Sequence, residues 1–327
     1  MKSVASAGAI LFVLSLLTAS PASALRVGYN EDAARLLSVP HAVEHSNTQI
    51  ARVSFSWSDL EPAAGEFDWS TSDRVMALFH SARIRPILTI FGSPSWSGPD
   101  RPGIQCGCDR VADPYWTRMW QAVAQRYPEA ILGVWNEPNL PSFGSVKVGR
   151  MAELVNEAAD AIWSVSPGRR VLGPPVAPVG GWAPYARKLY SRIDRRVEMA
   201  GNAYPYARRA GRRSFDQLMA NLGASLAHLG RIAARDGRQV WITETNVSRR
   251  DVSARRQARY VRHAYRLAKR SGVAGMIIYR LWSTWSANDG TYTWDAGLSA
   301  LAPDGAPTRL YNQVGRLHTG FDPLPVG

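Results

Sequence analysis

From residue 25 onward, short apolar runs of β-compatible residues alternate with longer stretches in which apolar positions recur every three or four residues. The first pattern is that of buried strands and the second that of amphipathic helices. Runs at 25–29, 50–55, 85–90, 131–135, 170–173, 197–203, 239–243 and 274–279 read as strands. Helical patterns fall at 72–82, 113–127, 146–165, 214–236 and 253–271, with a last helix at 308–317. Eight strands with eight connections predict an α/β protein, a single-domain (β/α)8 TIM barrel. A doubly wound open sheet also alternates strand and helix, but it carries a glycine-rich phosphate turn after an early strand, and Gly28-Tyr29-Asn30-Glu31 is not one.

The first 24 residues break the pattern. Lys2, an apolar run from Ala5 to Leu17 and the triplet Ala22-Ser23-Ala24 have the layout of a secretory signal peptide, cleaved to leave residues 25–327 as a secreted, extracellular catalytic barrel. The rival is an uncleaved anchor, but the run is short and interrupted by Ser6, Gly8 and Ser15. No later stretch stays apolar for about 20 residues, so stable membrane insertion is not expected. About 300 residues suffice for one large domain with a well-buried core.

A barrel of this kind builds its working face at the carboxyl ends of its strands. Strand four, Ile131-Leu132-Gly133-Val134-Trp135, delivers Asn136-Glu137-Pro138 to that face, and strand seven, Val240-Trp241-Ile242-Thr243, delivers Glu244. Two carboxyl groups meeting across one mouth suit glycosidic bond cleavage, where one must stay protonated to assist the leaving oxygen while the other is ionised. A single strand-end Glu is usually structural; the pair is what points to chemistry. Ser70 with Asp73 reads as a helix cap, and the long loop 92–113 with Trp96 reads as functional.

Trp135-Asn136-Glu137-Pro138 together with Glu244 resembles clan A of the retaining glycoside hydrolases. The stretches 52–69 and 86–96 resemble family 39 and its endo-acting relatives, and less closely family 5. The resemblance implies Glu137 as acid/base, Glu244 as nucleophile, and Asn136 as a partner of the sugar 2-hydroxyl. It also implies Arg52 as a brace for the nucleophile. At strand six the clan often shows His-x-Tyr, and here Tyr204 stands where the His would, with Tyr206 as a donor to the nucleophile; plain packing accounts for Tyr204 equally well. Trp282, or failing it Tyr279, would floor the sugar ring. Trp96, Trp57, Trp182 and Trp285 fall in loops of the same face, some to stack on sugars and some to hold loops down.

The remaining chemistry is narrowed by what is missing. Lys147, Lys188 and Lys269 lie in helices or at their starts, away from any Schiff-base position. The six histidines lack metal-ligand spacing, and no Ser-His-Asp elbow occurs, so neither cofactor nor metal is expected. Cys106 and Cys108 leave open a strained local disulfide. The formal charge is +13, and only Lys2, Lys147, Lys188 and Lys269 among 39 basic residues are lysines. Coding bias is one source of such arginine dominance, and no motif suggests nucleic acid. Arg208, Arg209, Arg212 and Arg213 after strand six, with Arg249 and Arg250 after strand seven, suggest an acidic glycan, against the plainer reading of a solvated basic surface. The expectation is a monomeric enzyme cleaving a β-linked oligo- or polysaccharide internally. The alternatives are an exo-acting, xylosidase-like β-glycosidase, a barrel that binds glycan without cutting it, and transglycosylation on the same intermediate.

Overall fold

The structure is a computed structural model, and it describes residues 25–97, 114–205, 214–283 and 297–318. Residues 1–24, Cys106 and Cys108, Tyr206, Trp285 and the arginines at 208–213 lie outside the described residues. Eight parallel strands run β1 (Arg26–Asp32), β2 (Ile50–Ser56), β3 (Arg85–Phe91), β4 (Ile131–Val134), β5 (Val171–Leu172), β6 (Met199–Asn202), β7 (Val240–Thr245) and β8 (Gly275–Tyr279). They pair in the order β5-β4-β3-β2-β1-β8-β7-β6, which is the single-domain TIM barrel expected from the pattern.

Alternation along the strands sorts their side chains. Ile50, Ile87, Ile131, Leu172, Ala200, Trp241 and Ile277 form a cluster of their own inside the barrel, while their neighbours Val53, Leu88, Leu132, Val171 and Met276 join the larger core under the helices. Trp241 fills this inner layer because Gly275 faces it without a side chain: a Cβ there would come within 2.4 Å of the indole.

The barrel closes at β5 and β6 through a seam narrower than its other pairings. One parallel bridge joins Leu172 to Glu198, with Gly173 N donating to Glu198 O at 2.9 Å and Glu198 N to Val171 O at 2.9 Å. Tyr190 completes the join. Its buried hydroxyl lies 3.2 Å from the Pro174 carbonyl and 3.3 Å from that of Ala200, and accepts from Ala200 N at 3.0 Å. Gly173 makes room, since a Cβ would stand 2.8 Å from that hydroxyl. Below the seam the buried Arg238 donates to the carbonyls of Tyr190, Ile193, Asp194 and Val197.

Ten helices surround the described strands: α1 (Ala33–Ser38), α2 (Pro40–Glu44), α3 (Trp57–Leu60), α4 (Ser70–Ser81), α5 (Tyr115–Arg126), α6 (Val148–Val165), α7 (Trp182–Tyr190), α8 (Phe215–Ala234), α9 (Ala254–Arg270) and α10 (Arg309–Gly315). Ser214 and Gln217 form a capping box on α8, and Ser253 caps α9. The expected Ser70–Asp73 cap does not form. Trp69 occupies the cap position of α4, Asp68 Oδ1 takes the Ser70 amide at 2.9 Å, and Asp73 instead binds Arg126 and Tyr127. The stronger partners, a guanidinium and a phenol, claim Asp73. Helices α1, α2 and α7 are too short to leave a clear period in the sequence.

Candidate active site

The chain after β4 passes through two residues of unusual backbone conformation to deliver its acid. Trp135 (φ 71°) and Glu137 (φ 37°) are both left-handed, a conformation that costs non-glycine residues energy and that surrounding contacts must hold in place. The indole of Trp135 is buried among the helices beside Trp116, its Nε1 donating to Phe143 O at 3.2 Å. Glu137 N donates to Pro175 O at 3.0 Å. Between these anchors Asn136 and Glu137 line the cleft.

Arg52, on β2 and 1% exposed, organises the floor. Its Nη1 meets Glu244 Oε1 at 2.7 Å, its Nη2 meets Asn136 Oδ1 at 2.8 Å, and its Nε donates to Thr89 Oγ1 at 3.0 Å. Three of its donors are therefore spent on three different strands' residues. Gly133 makes this possible, for a Cβ there would stand 2.7 Å from Thr89 Oγ1. Glu244 also accepts from Asn30 Nδ2 at 3.4 Å and, through Oε2, from the Tyr204 hydroxyl at 3.0 Å. A register shift in β7 between Ile242 and Thr245 aims Glu244 inward while Thr245 packs outward against Tyr260. Burial first, then the charge of Glu244, raise the Tyr204 phenol well above its ordinary pKa, so it stays protonated as a donor.

Glu137 sits differently. Its Oε1 accepts from Asn202 Nδ2 at 2.8 Å, and Thr243 Oγ1 fixes the Asn202 amide by donating to its Oδ1 at 2.9 Å. Burial, followed by repulsion from Glu244, pushes its carboxyl from 4.5 up to about 7, against the opposing pull of Asn202 and Arg52. One carboxyl group carries its proton near neutrality while its neighbour is held in a guanidinium ion pair. Such a divided pair can supply an acid and a nucleophile in the same cleft.

The cleft holds about 440 Å³ and is lined by Asn136, Glu137, Glu244, Tyr279, Phe91 and Phe143, with a charged wall of Glu31, Asp32, Arg35 and Arg280. In that wall Glu31 is buried and accepts from Arg280 Nε at 3.0 Å and from Trp282 N at 2.9 Å. Burial raises its carboxyl, against the pull of Arg280.

The structure thus brings together Glu137, Glu244, Arg52, Asn136 and Tyr204 from the residues singled out in the sequence. Tyr204 donates to Glu244, while Tyr206, onto which a donor role was read, lies outside the described residues. Trp282 is not among the described residues that line the cleft; its indole Nε1 donates to Ala302 O at 3.0 Å, whereas Tyr279 lines the cleft edge-on to Tyr204. Trp96 is likewise turned away, donating to Glu61 O at 3.1 Å and packing edge-on against Trp57 and Tyr115. Trp57 is buried and bonds Glu61, which also takes the Gly65 amide and Arg118. Glu61 therefore ties down the loop after β2. Neither Arg249 nor Arg250 lines the cleft among the described residues. Asn30, Asn202 and Thr243 escaped the sequence reading. Asn202 and Thr243 each stand two positions after an apolar residue of the inner barrel layer, Ala200 and Trp241.

Among the described residues, the side chains close enough to share a cation are His41, Glu44 and His45, exposed on and just after α2 and remote from these carboxylates.

The family model of glycoside hydrolase family 42, described as beta-galactosidase, matches residues 38–107. No curated protein matches the sequence. Among solved structures, a family 39 glycoside hydrolase from the gut symbiont Bacteroides cellulosilyticus WH2 superposes with a TM-score of 0.67 at 15% identity, over 90% of this chain and 64% of that one. A monomeric beta-xylosidase from Caulobacter crescentus CB15 gives 0.70 at 16% identity, over 90% and 68%. The Clostridial cellulose synthase subunit Z from Clostridioides difficile gives 0.62 at 12%, over 89% of this chain and 99% of that one. The chain spans just under two thirds of the Bacteroides chain. The chain shares its barrel fold with these glycoside hydrolases, and residues 38–107 match the family 42 model.

Proposed function

We propose that this protein is an exported, retaining O-glycoside hydrolase acting on a β-linked oligo- or polysaccharide. Glu244 attacks the anomeric carbon and forms a glycosyl-enzyme as Glu137 protonates the departing oxygen. Glu137 then takes a proton from water, which displaces Glu244. The observation that carries the reading is the division of labour between the two carboxyl groups: Glu137 raised to about 7 beside Glu244 paired to Arg52 at 2.7 Å. Asn136, fixed through its Oδ1 by Arg52, keeps its amide N–H group for a sugar hydroxyl, and Tyr279 offers its ring to the sugar face. Export rests on the layout of residues 1–24.

Glu244→Ala and Glu137→Ala should each lower turnover of an aryl glycoside by several orders of magnitude. Azide should rescue Glu244→Ala as the glycosyl azide of inverted configuration. Full activity in either variant, or an inverted sugar from the wild type, overturns the assignment. A retaining site also requires the two carboxyl groups about 5–5.5 Å apart in a crystal with bound sugar. Exo action is a second reading, favoured by the wall of Glu31, Asp32, Arg35 and Arg280 on one side of the cleft and by the beta-xylosidase among the similar structures. Product sizes from a polysaccharide digest distinguish them: single sugars from the start for exo action, a ladder of oligomers for endo action.

A further inference from the structure

A trough of about 890 Å³ runs between α9 and α10 on the outer wall of the barrel, larger than the cleft itself. Arg255, Arg256, Arg259 and Arg262 line it from α9, Arg309 and Arg316 from α10, and no carboxylate does. All six are exposed, and none makes an ion pair among the described residues. Elsewhere the surface is built the other way, with Arg126 on Asp73, Arg196 on Asp194 and Arg150 on Glu153. A merely arginine-rich composition would interleave acids here too. Instead the sequence ARRQARYVRHAYRLAKR of α9 contains none.

This arrangement costs stability. Like charges three and four residues apart repel, and Arg255 and Arg256 in the first turn oppose the helix dipole. The field reaches His263, whose pKa is lowered by burial first and then by Arg259, Arg266, Arg262 and Arg270. One cation is also held in place, the Arg259 guanidinium lying 4.5 Å over the Phe215 ring. Every cation lining the trough is a guanidinium, whose planar fork binds carboxylate and sulfate oxygens two at a time. Arg255, Arg259 and Arg262 follow one another at about one helical turn, a row suited to a polymer with regularly repeated anions. The two helices follow β7 and β8, the strands that present Glu244 and Tyr279.

We propose that the trough is an exosite for a linear acidic glycan bearing carboxylates or sulfates. The choice of glycan over nucleic acid rests on reading the cleft as a glycosidase site; the affinity for a polyanion does not.

The test is binding of labelled polygalacturonate, dextran sulfate, neutral dextran and single-stranded DNA of matched length to the full chain at about 100 mM salt, where exposed charges are screened beyond about 10 Å. Both acidic glycans should bind and neutral dextran should not, and the tighter of the two names the anion. R255Q/R259Q/R262Q/R316Q should weaken acidic-glycan binding at least about tenfold and flatten its salt dependence, with the thermal melt and turnover of a small aryl glycoside unchanged. If the quadruple variant does not fold, R255Q/R316Q takes its place with a smaller loss in the same direction. Binding unaltered by either variant, or tighter binding of DNA than of both acidic glycans, overturns the proposal. Arginine-dependent glycan binding by a wild type that turns over no glycoside removes the reading of the cleft and leaves the exosite standing.

Discussion

Glu137 holds its proton near neutrality because burial and the charge of Glu244 outweigh two groups that favour its ionised form, Asn202 and Arg52. Asn202 touches nothing but Glu137 and Thr243 with its side chain among the bonds described, so Asn202→Ala removes one of these opposing groups alone. The alkaline limb of kcat/KM, which follows the loss of the Glu137 proton, should move above its wild-type position near pH 7 in that variant; a limb that stays put or falls contradicts the assigned role. The same shift bears on stability. Between pH 4.5 and about 7 the folded protein keeps a proton that the unfolded chain has released, so stability falls as pH rises through this window, by at most about 3 kcal/mol. Glu137→Gln abolishes this loss, and its melting temperature should exceed that of the wild type by more at pH 8 than at pH 5. The two glutamates were legible in the sequence because a carboxylate ending an apolar run stands out. Asn202 and Asn30 were not, since a single amide at a strand end is indistinguishable from a turn residue until the neighbouring strand is in register.

At the scale of elements, all eight strands could be read because each is a continuous run buried on both faces. The aromatic floor could not: whether Tyr279 or Trp282 faces inward depends on where β8 ends and its parity is lost, and β8 ends at Tyr279. The long helices α4, α5, α6, α8 and α9 were visible by their period, but α1, α2, α3 and α7, of nine residues or fewer, were not. Gly133 is an element-level requirement that reaches the site. Gly133→Ala should push Thr89 off Arg52, destabilising the fold by about 1–3 kcal/mol by denaturant titration and lowering kcat more than KM changes. Equal stability and activity would show that Thr89 yields freely. Tyr190→Phe leaves the packing of α7 nearly intact but strips the hydroxyl that accepts Ala200 N. It should cost about 1–3 kcal/mol, the cost of an orphaned buried amide.

Over the whole molecule, a chain with a formal charge of +13 spreads its cations unevenly. Much of the surface is ion-paired, whereas α9 and α10 face solvent with one sign. No helix among the described residues is long and apolar enough to cross a membrane. The sequence revealed the excess of arginine but not its placement, because α10 reaches α9 only when the barrel brings the chain's last described helix back beside the seventh unit. That proximity is a property of closure, and closure itself is uneven.

The join at β5 and β6 rests on one bridge and one tyrosine hydroxyl, and the bond from Asn202 on β6 to Glu137 beyond β4 spans it from above. A sugar held by Glu137 would therefore act as a clasp. Amides of 171–173 and 198–202 should exchange with solvent sooner than those of β1 to β3, through opening short of global unfolding. They should slow when a sugar occupies the mouth, so that the rate at which this wall breathes reports whether the mouth is filled.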